Sequence, residues 1–232
     1  MKRRILASVV LGSAAALSLT GCLSGSDAPA GQETDVEAAW LDDGRIIAVV
    51  TSGSSTCVPT AESAENNSDG ALAVELVEPD ADTACTRDLV PRATLVTVPN
   101  GVDPSQDLEI WVTSEAGYYG DVTLAGASGL AGPGGETDYE PTAGWTQQQG
   151  QFVILTWGSS GCVPVVESSE VTGEAEVTVT FQDPPADQVC TADMAPRTNF
   201  AFADGLSGVE DVQLVLTGDS FDQTITIYGA SD

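Results

Sequence analysis

The sequence predicts an all-β protein built from two tandem copies of one small antiparallel β-sandwich. Short β-branched segments recur between turn residues, and no segment after residue 21 has the sustained 3.6-residue period of a helix. A repeat is the third observation: with an offset of 105 residues and no gap, residues 57–98 and 162–203 are identical at 15 of 42 positions. We therefore expect two domains, each with its own modest core.

The strands of each copy are predicted from two kinds of pattern. Residues 45–51 and 151–156 are almost continuously apolar, which is typical of a central strand. Residues 72–77 and 177–181 alternate apolar and polar side chains, which is typical of a half-buried strand. Five or six strands per copy fit a small sandwich or an open barrel, and an immunoglobulin-like topology is one option.

The N-terminal segment has the features of an export signal. Residues 1–21 carry a basic start and a short apolar run that ends in Leu19-Thr20-Gly21-Cys22. This ending resembles the bacterial lipobox, and the resemblance implies cleavage before Cys22 and attachment of lipid to its sulfur. Cys22 is also the one cysteine that the repeat leaves without a counterpart. We expect anchoring at the outer face of the cytoplasmic membrane.

Composition shifts divide the remaining chain into four parts. Residues 22–37 are small and polar, as in a flexible tether, and residues 129–142 are rich in glycine and proline, as in a linker. The linker separates copy 1, residues 38–128, from copy 2, residues 143–232. Trp145 of copy 2 is in register with Trp40 of copy 1.

The charge of the chain excludes several function classes. After the signal, four arginines face 35 acidic residues, so a nucleic-acid backbone would be repelled. No lysine remains, and the chain has no histidine, which excludes Ser-His, Cys-His and Schiff-base catalysis. We expect no cofactor, and contact with the membrane through the lipid on Cys22 alone.

The four other cysteines allow three pairings. Because a unit that folded before its duplication must have closed its own bridge, we predict Cys57–Cys85 and Cys162–Cys190. A loop of this length stabilises a domain by roughly 3–4 kcal/mol. A zinc site is the alternative role for the four cysteines. Because the chain lacks histidine and any Cys-x-x-Cys pair, we expect no metal site.

Each second cysteine is followed by Thr-x-Asp and, three residues on, by Pro-Arg. Two of the four mature arginines, Arg92 and Arg197, occupy the final position of this motif. A structural interpretation pairs Asp88 with Arg92 and Asp193 with Arg197, so that each pair locks a turn. A functional interpretation makes the arginine an anion site. We favour the structural ion pair.

Four aromatic residues have no counterpart in the other copy and form a candidate ligand surface: Trp111, Trp157, Tyr118 and Tyr119. Trp111 falls on the polar side of its strand, and Trp157 replaces Ser52. An outward aromatic side chain can bind a sugar or a protein, but it can equally pack under a loop or against a neighbouring domain.

The motifs Trp-Gly-Ser-Ser-Gly-Cys-Val-Pro and Cys-Thr-Ala-Asp-Met-Ala-Pro-Arg are similar to those of lipoproteins exported by high-GC Gram-positive bacteria. The resemblance covers residues 40–128 and 145–231 and implies location and fold, not activity. Our leading hypothesis is a non-enzymatic module that binds an envelope protein or glycan. The alternatives are a carboxylate-dependent glycoside hydrolase of the envelope and a structural spacer without a ligand.

Overall fold

The computed structural model describes residues 31–230, of which 49% are in strands. The part of copy 1 and its approach that the structure describes forms eight strands: β1 Gln32–Glu33, β2 Glu37–Leu41, β3 Ile46–Gly53, β4 Thr60–Asn66, β5 Leu72–Val77, β6 Val90–Thr97, β7 Leu108–Ser114 and β8 Tyr118–Leu124. The described part of copy 2 forms seven: β9 Thr142–Trp145, β10 Gln151–Gly158, β11 Val166–Gly173, β12 Glu176–Phe181, β13 Ala195–Phe202, β14 Gln213–Gly218 and β15 Phe221–Tyr228.

Strands β3 and β10 are continuously apolar because both of their faces are covered. In β3, Ile47 and Val49 enter the core of copy 1, while Ala48 and Val50 enter a cluster between the copies. Strand β10 repeats this division in copy 2. The predicted central strands are therefore confirmed.

Strands β5 and β12 bury only every second side chain. Leu72, Val74 and Leu76 belong to the core of copy 1, while the intervening residues are partly exposed. Val177 and Val179 take the same positions in the core of copy 2. The alternating pattern thus predicted half-buried strands correctly.

The prediction of two antiparallel β-sandwiches is wrong. The strands form three sheets, in the orders β1-β8-β7-β5-β4, β2-β3-β6 and β11-β12-β14-β15-β9-β10-β13. Four pairs are parallel, namely β1 with β8, β5 with β7, β12 with β14, and β15 with β9. The arrangement is a β-solenoid of about four turns rather than two sandwiches, whether immunoglobulin-like or not.

The parallel pairs have a simple topological cause. Between β5 and β7 the chain passes through β6, which lies in another sheet, so β7 re-enters beside β5 in the same direction. Strand β13 comes between β12 and β14 along the chain and lies at the far edge of their own seven-stranded sheet, so β14 likewise returns beside β12 in the same direction. Alternation of apolar residues defines a buried face but not the direction of the neighbouring strand, so the sequence pattern could not reveal this.

The two copies pack on each other through equivalent residues. Ala48 and Val50 of copy 1 meet Val153 and Leu155 of copy 2, which are their counterparts at an offset of 105 residues. The whole cluster contains Ala39, Leu41, Ala48, Val50, Ala93, Val153 and Leu155. A contact made by the same face of two copies is self-complementary, like that of a two-fold dimer.

Strands β2 and β9 cross this contact in opposite directions. The backbone N–H of Ala38 donates to Gln147 Oε1 (2.7 Å), and that of Asp42 donates to Thr142 Oγ1 (2.9 Å). Between them, a Cβ at Gly144 would overlap the carbonyl oxygen of Trp40. Glycine is therefore required at this position by the close approach of the two backbones.

The segment predicted as a linker lies against the turn at Asp42–Gly44. The backbone N–H of Ala131 donates to Asp43 Oδ1 (3.1 Å), and Thr137 Oγ1 donates to Asp42 Oδ1 (2.9 Å). Asp42 also forms an ion pair with Arg45, with 3.0 Å between Oδ2 and Nε. On the N-terminal side of copy 1, residues Gln32–Glu33 of the predicted tether form strand β1.

Candidate functional site

The disulfides Cys57–Cys85 and Cys162–Cys190 are present, which confirms the predicted pairing. Each bridge joins the turn after β3 or β10 to the loop before β6 or β13. Cys22, the predicted lipidation site, lies outside the described residues.

The duplicated arginine of each copy bonds to its own disulfide loop. Arg92 Nη1 donates to the carbonyl oxygen of Cys57 (2.6 Å), and Arg197 Nη1 donates to that of Cys162 (2.9 Å). A Cβ at Gly53 or Gly158 would crowd the guanidinium carbon, so the glycine of the Gly-Ser-Ser turn makes room for the arginine. Both arginines sit on β6 and β13, which are edge strands and so accommodate the preceding prolines.

The predicted ion pairs Asp88–Arg92 and Asp193–Arg197 are wrong. Asp88 Oδ1 instead accepts the backbone N–H of Ser55 (3.2 Å) and the hydroxyl of Thr86. Asp193 makes the equivalent bonds with Ser160 and Thr191. Each aspartate accepts hydrogen bonds from these backbone and hydroxyl donors instead of from the arginine, because the disulfide brings the turn and the loop together.

These hydrogen bonds act on the ionised carboxylates. Bonds from Ser55 and Thr86 lower the pKa of Asp88 to about 2, and bonds from Thr191 and Ser160 lower the pKa of Asp193 to about 2. The Asp of the Thr-x-Asp motif therefore ties the loop before β6 or β13 to the turn after β3 or β10, in the same way in both copies.

In copy 1, a carboxylate and a phenol close the arginine site. Arg92 is only 7% exposed, and its Nη1 and Nη2 donate to the two carboxylate oxygens of Glu78 at 3.2 and 3.1 Å. The hydroxyl of Tyr118 donates to Glu78 Oε1 (2.8 Å). Burial, together with the neighbouring Glu78, raises the pKa of Tyr118 to about 12. We call Arg92, Glu78 and Tyr118 the closed arginine site.

Copy 2 lacks both closing groups. Asp183 stands at the position of Glu78 and is one methylene shorter. Tyr118 does have a structural counterpart, contrary to the sequence-based expectation: Phe221 pairs with Gly218 as Tyr118 pairs with Ser114, and Phe221 has no hydroxyl. Within residues 31–230, no carboxylate lies within ion-pair distance of Arg197. Its second nitrogen, Nη2, donates to the carbonyl oxygen of Trp157 (2.9 Å). Burial lowers the pKa of Arg197.

A cavity of about 240 Å³ opens beside Arg197. Two carboxylates, Asp183 and Asp219, line it together with the arginine, and the rest of its wall combines valine and proline residues with the disulfide, a serine and two glutamines. Burial raises the pKa of Asp219, although Arg197 opposes the shift. We call Arg197, Asp183 and Asp219 with this cavity the open arginine site.

A shorter hairpin turn brings Asp219 into the open arginine site. In copy 1, three residues (115–117) connect β7 and β8, whereas only Asp219 and Ser220 connect β14 and β15. Both of these residues have positive φ, 43° and 69°, as in a two-residue type I′ turn. The turn presents the backbone N–H of Asp219 to Asp183 Oδ1 at 3.3 Å.

The aromatic residues of the candidate ligand surface are not brought together. The hydroxyl of Tyr118 donates to Glu78. The backbone carbonyl oxygen of Tyr119, also in β8, accepts a hydrogen bond from the N–H of Thr34 (2.8 Å). The ring of Trp157 makes an edge contact with Tyr139 (5.2 Å between centroids) and packs at the contact between the copies. Trp111 is 41% exposed, and its indole N–H donates to Glu109 (2.6 Å).

A second difference between the copies lies at Ser52 and Trp157. A cavity of about 250 Å³ borders Arg92 in copy 1 and is lined by Ser52 and by residues of β3, of β8 and of the segments next to β1 and β8. In copy 2, Trp157 replaces Ser52 and packs on Tyr139.

Sequence reasoning did not identify Glu78, Asp183, Asp219 or Tyr139 as site residues. A signal existed for the first two, because the alignment keeps an acidic residue at this position and changes only its length. For Asp219 and Tyr139 no such signal is present. Asp219 lies in the turn between β14 and β15, and Tyr139 lies in the predicted linker. Neither segment has a matching residue in the comparison of the two copies.

Comparison with family models, curated proteins and solved structures gives no match to this chain. Among residues 31–230, no helix has the length and hydrophobicity needed to span a membrane. The same residues contain no cluster of three or more side chains suited to hold a metal ion.

Proposed function

We propose that the protein is a non-enzymatic binding module of the cell envelope, anchored to the outer face of the cytoplasmic membrane by a lipid on Cys22. The observation that carries this proposal is the open arginine site. A duplicated arginine whose charge is compensated in copy 1 faces a cavity in copy 2, together with two carboxylates. Recognition sites typically combine such convergent polar groups with an apolar wall.

The lipid anchor and the envelope location rest on the lipobox and on both disulfides, which persist in oxidising compartments. Substituting Cys22→Ser should move the protein from the membrane fraction to the soluble extracytoplasmic fraction. Mass spectrometry of the wild-type N-terminus should find an acylated Cys22. Retention of Cys22→Ser in the membrane would refute the anchor.

The binding function is tested by closing the open arginine site. The double substitution Asp183→Glu and Phe221→Tyr gives copy 2 the side chains that close copy 1. With the full-length, disulfide-intact chain as bait, this variant should lose an envelope component that the wild type retains. Asp121→Asn, which changes an exposed carboxylate on β8, is the matched control. Equal retention by all three proteins would contradict the proposal.

The candidate surface around Trp111 is tested in the same pull-down with Trp111→Ala. Trp111 lies on the outer face of β7, which belongs to the five-stranded sheet of copy 1. Loss of retention with Trp111→Ala, but not with the closing variant, would place the ligand on that sheet instead. Retention of no component by the wild type would favour a spacer.

One observation favours a hydrolase as the second candidate function. Asp183 and Asp219 line one cavity, and burial raises the pKa of Asp219, as expected for a general acid. This function predicts release of reducing ends from envelope glycans, abolished by either Asp183→Asn or Asp219→Asn. Binding without turnover by the wild type would exclude it. The small volume of the cavity favours binding of a terminal group over cleavage of a polymer.

A further inference from the structure

The chemistry of the open arginine site indicates the class of ligand that it takes. We propose that it binds the head group of an amino acid or of a peptide-like ligand, that is, an ammonium and a carboxylate attached to one carbon. Arg197 binds the carboxylate, and Asp183 and Asp219 bind the ammonium. This inference rests on the proposed function, because it concerns the same cavity.

Arg197 has donors to spare for a carboxylate. A guanidinium carries five N–H bonds, and the structure uses one on Nη1 and one on Nη2, for the carbonyl oxygens of Cys162 and Trp157. Nε is buried without a hydrogen-bond partner among the described residues, as is Nε of Arg92, so the donors left for a ligand are the second N–H of Nη1 and that of Nη2. A planar guanidinium with free donors matches a carboxylate or a phosphate, and of these the singly charged carboxylate is repelled less by the two aspartates.

The two aspartates determine what else the ligand must carry. The site contains one cation and two carboxylates, so a purely anionic ligand meets Asp183 and Asp219 and is repelled. A purely cationic ligand would leave the donors of Arg197 unused. A ligand with both charges satisfies all three side chains. Asp183 uses Oδ1 for the N–H of Asp219, which leaves its other oxygen for the ammonium.

One part of the remaining wall, beside the polar side chains of Ser159, Gln182 and Gln188, suits an apolar substituent. Val163, Val165, Pro184 and Pro185 line the cavity beside the charged groups. Its volume of about 240 Å³ is below the range of roughly 300–1,000 Å³ that is typical of pockets for drug-sized ligands. The site therefore fits a single residue with a free head group rather than an internal segment of a chain.

The test compares three probes on the full-length, disulfide-intact chain by calorimetry. The probes are L-leucine, N-acetyl-L-leucine, which lacks the ammonium, and L-leucinamide, which lacks the carboxylate. We expect leucine to bind and each blocked analogue to bind at least about tenfold more weakly, since each loses a charge-assisted hydrogen bond. Asp219→Asn should weaken the binding of leucine by a similar factor, and Asp121→Asn should leave its affinity unchanged.

The closing variant, Asp183→Glu with Phe221→Tyr, should abolish leucine binding. Absence of leucine binding to the wild type, equal binding of an analogue, or leucine binding that both site variants leave unchanged would each overturn the inference. Should the closing variant fold poorly, Asp219→Asn decides alone, because it keeps the shape of the side chain.

The pull-down separates this inference from the proposed function. If the wild type retains an envelope component and the closing variant does not, while leucine fails to bind, then the site binds a ligand of another class. Failure of both experiments would reject the proposed function as well.

Discussion

The two duplicated arginines differ in their partners although their backbones are equivalent. Arg92 is buried and neutralised by Glu78, whose other hydrogen bond comes from Tyr118. Arg197 has the same bond to its disulfide loop but faces a cavity with two aspartates. A shared motif thus sets the position of an arginine, and the neighbouring residues determine whether its charge stabilises the fold or stays available to a ligand.

Removal of the arginine should have the largest effect, and the effect should differ between the copies. Arg92→Met leaves the Glu78 carboxylate, 26% exposed, without its cation and should cost about 3 kcal/mol in unfolding free energy. Arg197→Met loses hydrogen bonds to two backbone carbonyls and should cost about 1 kcal/mol. Urea unfolding of the disulfide-intact chain measures both. Equal costs would remove the distinction between closed and open.

Exchanging the residues at positions 52 and 157, where the copies also differ, should have the next largest effect on the free energy of unfolding. Trp157→Ser introduces the copy-1 residue and removes the ring that packs on Tyr139 and on the contact between the copies. We expect a loss of about 2 kcal/mol, measured by urea unfolding. The reciprocal Ser52→Trp is the control. It should cost less, because a cavity already borders Ser52.

Closing the open arginine site should stabilise the chain. Asp183→Glu with Phe221→Tyr supplies the counterparts of the carboxylate that binds Arg92 and of the hydroxyl that donates to this carboxylate, and should add about 1 kcal/mol. Thermal unfolding, compared with Asp121→Asn, measures the gain. A loss of stability would show that Asp183 is prevented from reaching Arg197 by the backbone and not by the length of its side chain.

The loop aspartates should show the smallest effect and no difference between the copies. The folded pKa of Asp88 and of Asp193 is about 2, below the ordinary 3.8, so each contribution is present above about pH 4 and is lost as the pH falls toward 2. The backbone amides of Ser55 and Ser160 should lose protection from hydrogen exchange together over this range. Asp88→Asn should abolish the pH dependence at Ser55 only. Different midpoints in the two copies would contradict the equivalence.

The sequence was sufficient for those features that depend on spacing. Cys57 and Cys85, and likewise Cys162 and Cys190, lie at the same separation in both copies, so duplication alone selected the correct pairing. The continuous apolar run of residues 45–51 indicated a central strand, which β3 is. These predictions hold because the periodicity and the repeat are properties of the chain itself.

The partners of Arg92 and Arg197 could not be obtained in this way. Asp88 is only four residues from Arg92, whereas Glu78 is 14 residues away, within the loop that the Cys57–Cys85 disulfide closes. Which carboxylate meets the guanidinium depends on the path of the chain between sheets. The same path places β7 parallel to β5 and makes the arrangement a solenoid instead of two sandwiches.

The sequence by itself determined that the chain is a duplicated, all-β, disulfide-closed protein with a strong excess of acidic residues. Only the tertiary structure decided that the two copies share a self-complementary contact, and that one arginine is closed and the other open. The physical reason is distance. A single methylene at residue 183 and one residue fewer in a hairpin turn change which charged groups meet, and such changes are visible only when the strands that carry them are in place.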